Sequence, residues 1–308
     1  MEQSQTEDET KIPPGSPPAT GAPAAVPAAV VPSQASPASC PNCGSLQAAA
    51  SSSPSYIFAI GKIEPRFPRL SVEKEFAQAT GRAATKGLSD HQALQTVLQD
   101  RNNRYLARQL CWVLTVQGIE TYILVPADST DLDLLVAALR PSPGPADLDV
   151  VVGVRGPVAG PDVCNGLVVP VVIFDQIYSF DRDSLLKAIP KPADAADKKF
   201  MAAAGEVFDR IHAQTDNAGA TDADRALNYL AVRYPAIYAS AASAFAANSS
   251  LTSVDVRPSR LSGVRNIVEV VFSFTSRATD VTEKQFVRVD VTEEFPFLVT
   301  KLSPYYDR

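Results

Sequence analysis

The chain has 308 residues, of which 45% are hydrophobic, so it can bury one large core or two modest ones. Its formal net charge of −6 disfavours a partner bound mainly through phosphates, and this excludes nucleic acid as the main ligand. No segment approaches the ~20 apolar residues of a membrane-spanning helix, and the acidic start, MEQSQTEDET, differs from a secretory signal. We therefore expect a cytoplasmic protein that does not enter the membrane.

The first 55 residues have the composition of a disordered segment. They hold ten of the 25 prolines, are otherwise rich in Ala and Ser, and contain no aromatic side chain. A Cys-x-x-Cys sequence interrupts this stretch, and the composition of a folded domain begins at Tyr56. The predicted organisation is a disordered tail at 1–38, a knuckle at 39–45, a linker at 46–55 and two folded halves at 56–192 and 193–308.

The sequence CPNCG predicts a zinc knuckle. Cys40 and Cys43 place two thiolates at a tight turn, and Gly44 permits the left-handed backbone that turns amides toward sulfur. A structural zinc site needs about four Cys or His ligands, so one chain is two ligands short. A homodimer that contributes one cysteine pair from each subunit would complete the site. The alternative is a degenerate knuckle that binds no metal.

The N-terminal half mixes helices and strands. SYIFAIGKIEPRF predicts a strand, and two helices are expected at Ser71–Gly81 and 89–101, the second begun by Ser89. Two β-rich runs around Gln117-Gly118 predict a hairpin, and Ser129 or Thr130 is expected to cap a helix that ends at Leu139. A further short helix is expected at about 183–189, before Pro190.

Two apolar runs, Val150–Val154 and Leu167–Phe174, predict strands that are covered on both faces. A Gly/Pro-rich loop between them keeps polar side chains close to the strands. A guanidinium at the end of a buried strand must be paired or must face a pocket. We therefore predict that Arg155, Asn165 and Asp175 line a cleft for an extended peptide or a small anion, with a structural ion pair as the alternative.

The C-terminal half predicts helices packed on an antiparallel meander. Phe200, Val207, Phe208 and Ile211 recur at helical spacing, and Thr221 opens a second helix that Pro235 either kinks or divides. Alternating apolar residues then predict four strands, at Leu251–Arg257, Ile267–Thr275, Lys284–Thr292 and Phe297–Leu302. Because the helices precede these strands and do not alternate with them, the predicted fold class is α+β.

Catalytic chemistry finds little support in the residues. In a reducing compartment, burial explains Cys111 and Cys164 better than a disulfide does. His91 and His212 stand alone on predicted helices, the first at the surface and the second at a partly solvated helix end. Prolines interrupt GVRGPVAGP and remove the amide donors of a phosphate-binding loop.

Five long segments resemble the C-terminal domain of unknown function of PatG, the cyanobactin maturation protein. They are QLCWVLTVQGIETYILVP, VVVGVRGP, CNGLVVPVVIFDQIYSF, TDNAGATDADRALNYLAVRYPAIY and VRVDVTEEFPFLVTKLSPYYDR. The resemblance extends from about Cys40 to Arg308. It implies a role in making ribosomally synthesised, post-translationally modified peptides, and it supplies no catalytic residues.

Two functions fit this resemblance. One is a non-catalytic scaffold or peptide-binding protein, whose C-terminal meander accepts an extended peptide as an added strand and whose partners are the precursor peptide or its modifying enzymes. The other is an enzyme acting on the precursor peptide through Arg155, Asp175 and Cys164. An enzyme predicts a polar cleft at these three residues, whereas a scaffold predicts a large two-fold interface.

Overall fold

The strands of the N-terminal half close into a barrel. The computed structural model describes residues 54–82, 85–190 and 197–306. The strand order around the barrel is β1-β2-β3-β5-β4, in which β3 and β5 are parallel and every other pair is antiparallel. The strands are β1 (Ser55–Arg66), β2 (Cys111–Val116), β3 (Ile119–Pro126), β4 (Asp147–Val158) and β5 (Pro170–Asp181).

Local sequence signals explain the β2–β3 hairpin and most of the β4–β5 strand pair. Gln117 and Gly118 both have positive φ, 49° and 84°, which is the backbone of a tight hairpin turn, so the predicted hairpin is confirmed. The run Val150–Val152 is buried on both faces, as predicted. The second run was placed too early, because β5 begins at Pro170 and Leu167 lies in a loop whose apolar side chains pack on the outside of β2 and β3.

Four of the five short helices that the structure describes in this half share one core with the strand face that carries Ile57, Leu114 and Phe174, and the fifth contributes Leu186 to the core of the C-terminal half. The Ser89 hydroxyl accepts a hydrogen bond from the Gln92 N–H, and the Gln92 side chain accepts one from the Ser89 N–H, so the predicted cap is confirmed as a reciprocal box. The cap predicted at Ser129 or Thr130 is wrong, since Asp128 caps a single 3₁₀ turn that leads into the helix. The helices are α1 (Leu70–Arg82), α2 (Asp90–Gln99), α3 (Arg104–Gln109), α4 (Leu132–Ala138) and α5 (Arg182–Ala188).

The C-terminal half is an antiparallel sheet with helices on one face. Helices α6 (Asp197–Gln214), α7 (Asp222–Arg233) and α8 (Ala236–Ala246) precede β6 (Ser249–Pro258), β7 (Ile267–Ser276), β8 (Thr282–Asp290) and β9 (Phe297–Pro304). Phe208 shares one core with Val270 and Phe272, which confirms the predicted helix-on-sheet contact. Pro235 divides α7 from α8. The α+β class is confirmed.

A turn between α6 and α7 joins the two halves. The first part of β1 pairs with β4 and only its second part pairs with β2, which leaves one edge of Phe58 and Ile60 without a strand partner. The Ile60 N–H donates to the Asn217 carbonyl at 2.8 Å and the Phe58 N–H donates to the Gly219 carbonyl at 3.2 Å. A Cβ on Gly219 would lie 2.0 Å from the Phe58 carbonyl oxygen, so only glycine fits at this position.

Buried side chains reinforce this junction. The Asn228 amide donates to the Phe58 carbonyl at 2.8 Å, and the Tyr122 hydroxyl donates to the Ala218 carbonyl at 3.0 Å. Burial raises the pKa of Tyr122 above its ordinary value. The segment from Asn217 to Gly219 therefore acts as a short extra strand for the barrel, and contacts assign the chain from Ser52 onward to one compact unit. The predicted tail, the knuckle and the boundary near 193 lie outside the described residues.

Candidate functional site

The two cysteines expected to be free form a disulfide, so that expectation was wrong. Cys111 and Cys164 are both buried and are bonded to each other across a Cα–Cα distance of 5.8 Å. The loop after β4 folds back over β2 and β3, which brings together two residues separated by 53 positions. A buried, oxidised Cys164 cannot act as a nucleophile, because the thiolate is the reactive species.

Neither histidine has a catalytic partner among the described residues. His91 is exposed in the first turn of α2. His212 lies at the end of α6, with its ring 5.8 Å from that of Phe208, and burial lowers its pKa. The ring packs on the core, in agreement with its predicted place at a helix end.

Arg155, Asn165 and Asp175 occupy three different elements. Arg155 is near the end of β4, Asn165 has a φ of 46° in the loop that carries Cys164, and Asp175 is the unpaired residue of a bulge in β5. All three are exposed. Within the described ranges, no hydrogen bond or ion pair joins any two of them, and the ion pair expected at Arg155 is not formed. Five surface cavities of 150 to 520 Å³ are lined by other residues. The cleft that Arg155, Asn165 and Asp175 were expected to share therefore stays a prediction.

A buried arginine that the sequence patterns did not single out holds the β8–β9 loop. Arg225, in the first turn of α7, is 3% exposed. Its guanidinium donates to the Val291 carbonyl at 2.7 Å, to the Glu294 carbonyl at 3.1 Å and also to the Glu293 carbonyl. The guanidinium carbon lies 5.4 Å from the centroid of the Tyr56 ring in β1. This one side chain therefore ties α7 to both the C-terminal sheet and the barrel.

Beside this arginine, two carboxyl groups meet. Burial and the neighbouring Asp175 carboxyl raise the pKa of Glu294 to about 7, against the lowering effect of Arg225. Burial of one Glu294 oxygen, which has no hydrogen-bond partner in the described structure, is consistent with a carboxyl that holds its proton. The contact of Asp175 with Glu294 therefore contains the most strongly perturbed carboxyl group, that of Glu294, among the described residues. Sequence alone could not indicate it, because the two residues are 119 positions apart and belong to different halves.

Two tyrosines, one in α7 and one directly after it, cover the β9 edge of the C-terminal sheet. The Leu302 N–H donates to the Tyr234 hydroxyl at 2.9 Å, and the Tyr229 hydroxyl faces the backbone of Leu298. The β8–β9 register also shifts twice, and such bulges interrupt the regular edge that a new strand requires. This edge is therefore protected against strand addition.

The opposite edge, at β6, presents backbone groups that pair with no other strand of the described structure. The Ser259 N–H donates to the Ile267 carbonyl at 2.8 Å, so residues 255, 257 and 259 belong to the hydrogen-bonded pairs with β7. Because bonding alternates along an antiparallel strand, Val254 and Val256 direct their N–H and C=O groups away from β7. Their side chains pack on the inner core, which keeps the two residues in register. In the described part of the chain, this short segment is the edge most open to an extended peptide.

The family comparison identifies this part of the molecule. Residues 194–305 match the family model described as PatG C-terminal. The chain carries a PatG C-terminal-like domain. This domain contains α6 to α8, the whole four-stranded sheet, Arg225 and the open β6 edge.

Structural similarity extends beyond the PatG C-terminal-like domain. A solved structure described as "PatG Domain of Unknown Function" covers 82% of this chain and 98% of its own, with a TM-score of 0.67 and 20% sequence identity. At this identity the likeness concerns the fold. The search of curated proteins gave no match. No helix in the described ranges is both long enough and apolar enough to cross a bilayer.

Proposed function

We propose that this protein is a non-catalytic, peptide-binding scaffold in the maturation of ribosomally synthesised, cyanobactin-like peptides. The likeness to PatG supports the pathway. The open β6 edge supports the activity, because an extended peptide can bind a sheet edge through main-chain hydrogen bonds and thereby present its side chains to an enzyme. The turn from Asn217 to Gly219 covers the edge that β1 leaves open in the barrel, and β9 is covered as well. We therefore assign peptide addition to Val254 and Val256.

A proline substitution at this edge tests the proposal. Val256→Pro removes an N–H that points away from β7, and it places the preceding residue in the extended conformation that β6 already has. Val256→Thr is the matched control, because it keeps both the β-branched shape and the N–H. The first probe is a synthetic copy of the precursor peptide that copurifies with the protein from producing cells. The second probe is the same peptide with N-methyl groups at alternate residues. Calorimetry measures the binding of both.

The proposal expects the unmodified peptide to bind wild type and Val256→Thr, and to bind Val256→Pro about tenfold more weakly, since one or two hydrogen bonds are lost. The N-methylated peptide should not bind. Equal binding of the two peptides would contradict strand addition. Conversion of the peptide by the protein alone, detected by mass spectrometry, would contradict a non-catalytic role.

The alternative proposal is an enzyme that modifies or processes the precursor peptide. Of the three residues considered for it, Arg155, Asp175 and Cys164, the cysteine is in a disulfide and cannot act as a nucleophile. The raised pKa of Glu294 beside Asp175 supports acid–base catalysis instead. Glu294→Gln would abolish peptide conversion in that case. It would leave peptide binding by a scaffold unchanged.

We also propose that Cys40 and Cys43 bind a structural zinc ion between two subunits. The support is the count of ligands in CPNCG, which gives half of a four-thiolate site. Metal analysis should give half an ion per subunit, and Cys43→Ser should lose the zinc and weaken the dimer measured by light scattering. One zinc ion per chain in a monomer would contradict a shared site.

A further inference from the structure

A groove lies at one mouth of the barrel, where β2 and β3 separate. Trp112 pairs with Leu124, whereas Cys111, one residue earlier, pairs with Arg66 on the other side of β2. The opening between the strand ends is a cavity of about 380 Å³, and a second cavity of about 230 Å³ shares part of its lining. Both cavities are lined by Arg108, Leu110, Trp112, Leu124 and Val125. These shared residues form an apolar floor with one cation beside it, and Arg69, Gln109 and Asp162 add polar groups to the first cavity.

Two arginines at this groove have no partner among the described residues. Their neighbours Arg66 and Arg104 form ion pairs with acidic side chains. Arg69 and Arg108 are exposed, and within the residues that the structure describes neither side chain makes a hydrogen bond or an ion pair. Against the one carboxylate in the lining, Asp162, these two arginines leave the groove with a net charge of +1 in a chain whose formal charge is −6. It favours a carboxylate-bearing ligand, because a guanidinium binds a carboxylate in a bidentate manner.

The far wall of the groove depends on the disulfide. Asp162 and Val163 line the cavity from the loop after β4, and Val163 is 52% exposed. The next residue, Cys164, is bonded to Cys111 at the start of β2. A loop that is fixed in this manner keeps the groove formed before a ligand arrives, and preorganisation lowers the entropic cost of binding.

We propose that this groove docks an acidic peptide segment, with its carboxylates on Arg69 and Arg108 and one apolar side chain over Leu110 and Trp112. The groove is open at the surface, so it suits a chain rather than an enclosed small molecule. Two cations are too few for the phosphate backbone of a nucleic acid. The site is separate from the β6 edge and does not depend on the function proposed for that edge.

The tryptophan at the groove allows a direct test, since Trp112 is the only tryptophan in the chain. The probes are an eight-residue peptide of alternating Glu and Leu, a peptide of alternating Lys and Leu, and inorganic phosphate, each titrated against the full chain while tryptophan emission is recorded. The acidic peptide should change the emission with saturation, and added salt should weaken its binding. The double variant Arg69→Glu with Arg108→Glu should raise the Kd about tenfold.

Arg260→Glu is the matched control, because Arg260 is exposed in the turn after β6 and lies outside the groove lining. It should leave the Kd unchanged. Near-UV circular dichroism checks the fold, and the single variant Arg108→Gln replaces the double variant if that one misfolds. Equal binding of the basic peptide, no saturable change with the acidic one, or a Kd that the groove variants do not alter would each overturn the proposal. Competition by phosphate at the concentration of the acidic peptide would also overturn it in favour of a small-anion site.

Discussion

Replacing Arg225 with methionine should remove a large part of the stability of the protein. The guanidinium makes three charge-assisted hydrogen bonds to the carbonyls of Val291, Glu293 and Glu294, and it is 3% exposed. Hydrogen bonds to a charged group contribute about 1.5–3 kcal/mol each, and a carbonyl left buried without a donor costs about 1–3 kcal/mol. Water can reach the exposed Glu293 and replace part of the lost hydrogen bonding, so the cost is smaller than the sum of the three hydrogen-bond energies. We expect a decrease of about 3–5 kcal/mol in the free energy of unfolding.

Denaturant unfolding at neutral pH measures this decrease. Arg233→Met on the same helix is the matched control. Arg233 is exposed, and its guanidinium carbon lies 4.8 Å from the centroid of the Tyr178 ring without holding a loop. We expect the control to lose less than about 1 kcal/mol. A stable domain has about 5–15 kcal/mol in all, so the two variants should be easy to separate. A loss below about 1 kcal/mol for Arg225→Met, with an unchanged denaturant slope, would refute the role assigned to this side chain.

Three further predictions concern the core, the carboxyl pair and the disulfide. Phe208→Ala should cost about 3–5 kcal/mol in denaturant unfolding, because it empties part of the core between α6 and the sheet, and a near-neutral result would move that ring to the surface. The folded state holds the Glu294 proton more tightly than the unfolded chain does. The contribution of this group to the free energy of unfolding is therefore lost as the pH rises from about 4.5 to about 7. Glu294→Gln should therefore stabilise the protein above pH 7, by about 1 kcal/mol after allowance for solvent screening, and should have little effect below pH 4.5. A difference in unfolding free energy between variant and wild type that stays constant across that range would contradict the raised pKa. Cys164→Ser should lower the free energy of unfolding by about 4 kcal/mol, because it opens a loop of 53 residues, and an unchanged thermal midpoint under oxidising conditions would show that the bond does not constrain the chain.

Features with a local cause were predictable from the sequence. The alternation of Val268, Val270, Phe272 and Phe274 correctly identified the inner face of β7, and the helical spacing of Phe208 correctly placed α6 against it. Such patterns carry their own period, so no knowledge of distant residues is needed.

Features made by distant residues were not predictable. Barrel closure requires β1 to pair with β4, and no local pattern indicates which strands will meet. Arg225, three residues after Asp222, has the spacing of an ordinary surface ion pair, and only the loop brought from the C-terminus buries it. The Cys111–Cys164 spacing is typical of no metal or redox motif, so burial and a disulfide could not be separated from sequence alone.

The turn from Asn217 to Gly219 has a consequence for how this protein can be divided. The family model begins at 194, yet the carbonyls of this turn complete the pairing of β1, far outside the matched region. A fragment cut at 194 would leave Asn217 and Asn228 without the β1 groups that they now contact, and the barrel alone would keep an unpaired edge at Phe58 and Ile60. Exposed edges of this type recruit other chains and cause aggregation. For expression, fusion or transplantation, the smallest useful piece therefore begins before Ser55.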